Sequence, residues 1–278
     1  MKKLHKADII SNLVEILEED EGLFHPDAPI TTEQFVTMMI QSCKGNIAPT
    51  RDNWSSGYMD YALYNGIIED YDMTNIRNPV ERRSVARIVH EVLLTEIKES
   101  DEDDWSAAEN LKDLYSCHTC VMHIAQMYVK GIMHSSDNNV FDVQGSVTGE
   151  EAAAVVIKIL DKEQRIPQTE GRKYTTTILS PDEVWELMAN DTMVRLVDVR
   201  TDEEYKKGHI ERSICIPLIN IANNPFSVCE NRDTPIILYC QKGYKSSVAV
   251  HTLIGAGYSK IYTIPGIEQY PYNGRIIV

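Results

Sequence analysis

Cys240-Gln241-Lys242-Gly243-Tyr244-Lys245-Ser246-Ser247 is the stretch of this 278-residue chain whose residue types and spacing can do chemistry. One thiol stands at the head of a short loop, with a glycine and two cations within the next five positions. The apolar run Ile236-Ile237-Leu238-Tyr239 precedes it and predicts a strand; Val248-Ala249-Val250 to Leu253-Ile254 follows it and predicts a helix. A strand therefore delivers Cys240 to a tight loop that opens a helix. Backbone N–H groups at a helix start carry partial positive charge and favour a thiolate, and Lys242 and Lys245 add to that field. The plain alternative is a small core residue at the end of a buried strand.

The elements that must position this loop occupy the C-terminal third. Ser180-Pro181-Asp182-Glu183 is a capping box with proline at the first helical position, so a helix runs to about Met188. Val194 to Asp198, Ile214 to Pro217, Ile236 to Tyr239 and Ile261 to Ile264 read as strands, after a strand-like start at Tyr174 to Ile178. Strands alternating with helices over about 100 residues imply an α/β domain with a mostly parallel sheet covered on both faces.

Asp198-Val-Arg200…Glu204-Tyr205, then Gly208-His209-Ile210 leading to Ile214-Cys-Ile-Pro217, then the Cys240 loop, then Pro265-Gly266-Ile267-Glu268…Tyr270 follow one another in order. Together these segments resemble the rhodanese domain over residues 174–278, one glycine short in the closing segment. The resemblance implies sulfur transfer. Cys240 would take the outer sulfur of a donor such as thiosulfate as a persulfide and pass it to a thiol or to cyanide. It also implies that Gln241, Lys242, Gly243, Tyr244, Lys245 and Ser246 form the anion-binding loop. Asp198 and Arg200 are assigned to a strand-end ion pair that fixes the sheet, and His209 to a buried structural histidine. Related phosphatases carry an arginine six residues after the cysteine; here that position is Ser246, which argues against phosphate chemistry. No cofactor and no metal is implied.

Charge and composition divide the chain. The net charge is −15; residues 173–278 carry 11 Lys and Arg against 12 Asp and Glu, whereas residues 1–172 carry 16 against 30. An acidic module of this kind is a poor nucleic-acid binder, because phosphate contacts need cations. The charge break coincides with the polar connector Asp161 to Gly171, so the boundary is placed at 172/173. No apolar run approaches the length of a membrane span, and no secretory signal is visible at Met1 to Asp20. The six cysteines lack the spacing of a disulfide scaffold and suit a reducing, cytoplasmic setting. A cell-surface location is the alternative if a leader has been removed.

The first part holds a weak internal repeat. Loops ending at Ile30, Val80 and Val147 each precede a helix, at offsets of 50 and 67 positions. The longer offset comes from the acidic insert Glu99 to Trp105. Helices ending in Gly66-Ile67 and Gly131-Ile132 fit glycine C-caps. Val85, Ile88, Val89 and Val92 follow helical spacing, and Ala152 to Leu160 reads as buried all round. This pattern resembles the S-layer homology repeat over residues 5–161, which implies an all-α repeat bundle and a cell-wall or protein partner. The tetrad that carries wall binding in that family is degraded here: Thr31 to Gln34, Glu81 to Ser84 and Thr148 to Glu151 retain one Arg, Arg82, at its second place.

Cys117-His118-Thr119-Cys120 with His123 admits a redox pair or part of a zinc site, but two cysteines three apart on a helix read first as packing residues. Met38 and Met39 read as core. Three functional classes remain: a sulfurtransferase; a docking protein whose rhodanese-like domain carries or senses sulfur; and a redox sensor pairing Cys240 with Cys215 or Cys229.

Overall fold

The computed structural model describes residues 26–169, 176–268 and 276–277. The chain divides into two compact units, Met1–Arg172 and Lys173–Val278. The expected repeat start at residues 5–25, Gly171, Tyr174 and Tyr270 lie outside the described residues.

Unit one is helical. Its α-helices are α1 (Thr32–Lys44), α2 (Ser56–Tyr64), α3 (Asp70–Thr74), α4 (Arg82–Val92), α5 (Val121–Val129) and α6 (Gly149–Leu160). Thr31 and Thr148 close capping boxes with Gln34 and Glu151 at the starts of α1 and α6. Gly66 and Gly131 follow α2 and α5 at φ +69° and +67°, the left-handed region that ends helices without a Cβ penalty. The three loops close on each other in a ring. Ile30 N–H donates to Val147 O (3.0 Å), Val147 N–H to Val80 O (3.0 Å), and Val80 N–H to Ile30 O (2.9 Å). Each loop thus satisfies the next one's backbone where α1, α4 and α6 begin, and Ile30, Val80 and Val147 are all buried there.

Val85, Ile88, Val89 and Val92 are buried on α4, as are Met38 and Met39 on α1. Helix α6 departs from expectation. It buries Ala152, Val155, Val156 and Ile159 but exposes Ala154 and half-exposes Ala153, Ile157 and Leu160, so it is amphipathic rather than enclosed. Its small alanines made an outward face look like core. After α4 a π-helical turn, Leu93–Ile97, leads into the acidic insert. The Gln126 amide clamps that insert, accepting from Glu102 N–H (2.8 Å) and donating to Glu102 O (2.9 Å).

Cys117 and Cys120 precede α5 rather than lying on it, and they are joined as a disulfide. Both are half-exposed, so packing is not their role. The turn before the helix brings their Cα atoms to 5.3 Å, within disulfide reach.

Unit two is α/β. Five parallel strands lie in the order β1 (Thr177–Ile178), β6 (Ile261–Thr263), β5 (Ile236–Tyr239), β2 (Arg195–Asp198), β4 (Ile214–Cys215). A separate antiparallel pair joins β3 (His209–Ile210) to β7 (Ile276–Ile277). The helices are α7 (Pro181–Asn190), α8 (Asp202–Lys206), α9 (Leu218–Asn223) and α10 (Tyr244–Gly255). β5 is buried along its whole length, and its side chains alternate between two cores. Ile236, Leu238 and Cys240 join Val197, Ile221, Ala249 and Leu253; Ile237 and Tyr239 join Leu196, Val184, Met188 and Ile210. Burying an Ile or Leu side chain contributes about 1.5–3 kcal/mol, which is why the central strands read as unbroken apolar runs.

One expected strand shortens. Ile214 to Pro217 is a strand only over Ile214–Cys215, because Pro217 caps α9. The short elements α8, α9, β3 and β7 carry too little periodicity to stand out in the sequence.

Candidate active site

The sheet order fixes where a site must form. From β2 the chain moves outward to β4, then returns across β2 to β5, so the connections diverge between β2 and β5. In open α/β sheets the crevice beyond the carboxyl ends of such strands binds ligands. Asp198 and Arg200 lie at that end of β2, Cys240 and Gln241 at that end of β5, and Val199 N–H bonds Tyr239 O (3.0 Å) between them.

Cys240 leaves β5 on the face that α10 covers, with 2% of its surface exposed. Only residues 241–243 separate it from α10. Gly243 makes this turn at φ +89°, a conformation that a side chain would strain. Its N–H points at the Cys240 sulfur, 3.1 Å from Sγ. Ser246 lies one helical turn on; its hydroxyl is 3.7 Å from Sγ and donates to Gly243 O at 2.9 Å. The sulfur therefore meets a backbone donor and a hydroxyl at a helix N-terminus, a setting that stabilises negative charge.

The loop is held from below by Asp198 and Arg200. Arg200 Nε contacts both Asp198 oxygens at 3.0 Å, and Nη2 donates to Oδ2 at 2.7 Å. Nη2 also donates to Gly208 O (2.7 Å), and Nη1 to Gln241 Oε1 (3.0 Å). Burial works against the Arg200 charge, but Asp198 more than offsets it and holds the guanidinium pKa above its ordinary value. A buried ion pair of strand β2 is thereby wired to the residue after the cysteine.

Two contacts escaped the sequence reading. Lys245, expected as a cation for the donor, bonds Glu204 Oε2 at 3.0 Å on α8. Burial raises the Glu204 pKa, but the Thr201 N–H and Lys245 outweigh it and leave the carboxyl below its usual value. The Thr201-x-x-Glu204 capping box was the available signal. Gln241 Nε2 donates to Glu268 Oε1 at 2.6 Å, so with Arg200 on its oxygen the amide is engaged at both ends. The segment after β6 supports the same turn: Ile267 N–H bonds Cys240 O at 2.9 Å. A Cβ at Gly266 would come within 2.4 Å of Gln241 O, so only glycine allows that approach.

Of the remaining site candidates, Lys242 is exposed and Tyr244 is buried. His209 is half-buried rather than fully buried. It stacks on Tyr205 with ring centroids 3.7 Å apart, and its Nδ1 lies 3.0 Å from Tyr205 O.

Cys215 and Cys229 are badly placed to pair with Cys240. Asp198 is in register with both Cys215 and Tyr239, so two strand spacings, about 9–10 Å, separate β4 from β5. A disulfide needs Cα atoms about 4.4–6.8 Å apart. Burial first, then Asp202, pushes the Cys215 thiol up to about 12. Cys229 O is bonded by Tyr258, just before β6 begins, which puts it at the opposite end of the sheet from Cys240. The redox-sensor pairings are thus disfavoured by topology.

Residues 180–267 match the family model of the rhodanese-like domain. A thiosulfate sulfurtransferase of Ectopseudomonas mendocina is 33% identical over 88 residues, 32% of this chain and 77% of that protein. The chain belongs to the rhodanese-like family. A tRNA uridine(34) hydroxylase of Buchnera aphidicola is 33% identical over 107 residues. The match covers 36% of this chain but only 33% of the hydroxylase, so the chain spans about a third of that relative's length. A single-domain sulfurtransferase structure from Saccharomyces cerevisiae aligns at 24% identity with a TM-score of 0.32, covering 37% of this chain and 94% of that one. The rhodanese-like domain occupies the C-terminal unit, and no helix among the described residues is long and apolar enough to cross a membrane.

Proposed function

We propose that this protein is a sulfurtransferase that carries sulfane sulfur on Cys240. The observation that carries the reading is the Cys240 sulfur at a helix N-terminus, met by Gly243 N–H at 3.1 Å and the Ser246 hydroxyl at 3.7 Å. The Cys240 thiolate attacks the outer sulfur of thiosulfate. A new S–S bond forms, the donor's S–S bond breaks, and sulfite leaves with the bonding electrons. A thiolate or cyanide then attacks the outer sulfur of the persulfide and releases Cys240 as thiolate. The two displacements balance without a redox partner, and they predict ping-pong kinetics. Gly243 N–H and the α10 N-terminus stabilise the negative sulfur in both steps. Lys245 and Lys242 attract the anionic donor; Lys245 does so by exchanging Glu204 for it. A lysine offers a point charge rather than a guanidinium fork, so donor affinity is modest.

The test is direct. Thiosulfate and cyanide should yield thiocyanate, and mass spectrometry should find one added sulfur, about +32 Da, on the Cys240 peptide, as the two-step covalent route requires. Cys240→Ser should abolish both. Full activity in that variant would end the proposal.

For residues 1–172 we propose an S-layer-homology-like repeat module in a separate domain. The closed ring through Ile30, Val80 and Val147 supports this reading. Wall anchoring is not its proposed role. Arg82 is already engaged by Phe141 O (2.7 Å), His134 O (2.7 Å) and Glu151 (3.1 Å), and the module is acidic. We propose docking to a protein partner instead. Co-sedimentation with purified cell wall should show no binding, and retention there would reverse this assignment.

A further inference from the structure

Unit one holds a polar cluster that sulfur transfer does not use. His90 on α4 is fully buried, and His123 lies across from it on α5. Their Nδ1 atoms face each other at 2.9 Å, with the rings edge to face. The other nitrogen of His90, Nε2, lies 2.7 Å from Asp101 Oδ1 in the acidic insert. A carboxylate only accepts, so Nε2 carries a proton toward Asp101, and the other ring nitrogen, Nδ1, faces His123. Glu91 follows His90, and the ligand atoms of His90, Glu91 and His123 all lie within 4.8 Å of one another.

We propose that His90, Glu91 and His123 form a binding site for one divalent transition-metal ion of the zinc type, with Asp101 fixing the His90 tautomer. Nitrogens bound to tetrahedral zinc at about 2.0–2.1 Å sit roughly 3.3 Å apart, so the two Nδ1 atoms need to open by a few tenths of an ångström. The Asp101–His90 bond is the carboxylate–histidine arrangement that orients metal-bound imidazoles and raises their basicity. Glu91 and Asp101 together balance the charge of a dication, which a buried site requires. The neighbouring cation, Arg87, is paired with Asp72 and does not compete for these carboxylates. Two imidazoles and a carboxylate select zinc, cobalt, nickel or copper over calcium and magnesium. Cys117 and Cys120 come just before His123 in the chain, but their disulfide removes them as thiolate ligands.

The alternative is a plain hydrogen bond in which a proton on His123 Nδ1 fills the place of the metal. Titration of the full chain, disulfide intact and stripped by chelator, decides between them. Zinc followed by calorimetry should bind at one ion per chain, with calcium and magnesium silent. Cobalt should give a four- or five-coordinate visible spectrum without thiolate charge transfer. His123→Gln should weaken zinc binding by at least about 100-fold, and Asp101→Asn by about 10–100-fold, the usual effect of losing such a partner. Glu91→Gln, at a half-exposed position, should weaken binding without unfolding the unit, which circular dichroism checks. Absence of stoichiometric binding, or binding unchanged in both His123→Gln and Glu91→Gln, overturns the proposal.

Discussion

Asp198→Asn tests whether the buried ion pair of β2 holds the Cys240 loop in place. Asp198 is fully buried and the Arg200 side chain is 6% exposed. The substitution keeps the shape of the side chain and removes its charge. An asparagine presents one acceptor oxygen where the carboxylate presented two, and its NH2 group faces guanidinium donors. Three charge-assisted contacts are lost or weakened, while the Arg200 guanidinium keeps its neutral partners Gly208 O and Gln241 Oε1. Leaving one buried charge uncompensated costs about 3–5 kcal/mol, against 0–1 kcal/mol for an exposed pair. Within a total stability of about 5–15 kcal/mol this is a large share. Hydrogen exchange resolved by peptide reads unit two separately from unit one. Exchange of the β2 and β5 amides should accelerate by roughly 10²–10³-fold or more, as opening free energies of this size imply. Asp198→Leu combined with Arg200→Leu should recover part of the loss, since an apolar pair leaves no orphan charge. An Asp198→Asn cost below about 1 kcal/mol, or a double variant worse than the single one, would refute the reasoning.

Three further outcomes follow from the same geometry. Glu204→Gln should free Lys245 and lower the thiosulfate KM, and Lys245→Gln should raise it; the pair is half-exposed, so each shift stays within about fivefold and shrinks with salt in steady-state assays. Gly266→Ala should destabilise unit two by about 1–3 kcal/mol and reduce kcat, because its methyl collides with Gln241 O; thermal unfolding and thiocyanate formation check both. Glu99 is buried beside Arg165, Lys162 and Lys130; burial raises its pKa, but these cations prevail and lower it to about 2. Its folded pKa lies below the unfolded value. It therefore stabilises unit one above about pH 4.5, and this contribution fades as pH falls toward 2, which acid unfolding of wild type against Glu99→Gln should show.

How much was legible depended on the range of the interaction. The strand Ile236 to Tyr239, the helix after the loop, the Ser180 capping box and the glycines after α2 and α5 are local. Periodicity, caps and left-handed glycines are written in consecutive residues, and the structure carries each of them. The position of Cys240 is local too, because a strand, a three-residue turn and a helix fix it. The repeat-equivalent positions Ile30, Val80 and Val147 were visible as a pattern, but their closure into one ring was not, since it joins residues up to 117 positions apart.

The sequence by itself determined that one thiol stands at a helix N-terminus behind a buried strand. Only the tertiary structure decided what surrounds that thiol. It handed Lys245 to Glu204, tied Gln241 between Arg200 and Glu268, and set Cys215 two strands away. It also brought His90, His123 and Asp101 together across two helices and an insert. Side-chain charges and donors take whichever partner the packing of distant segments presents, and no spacing along the chain encodes that choice.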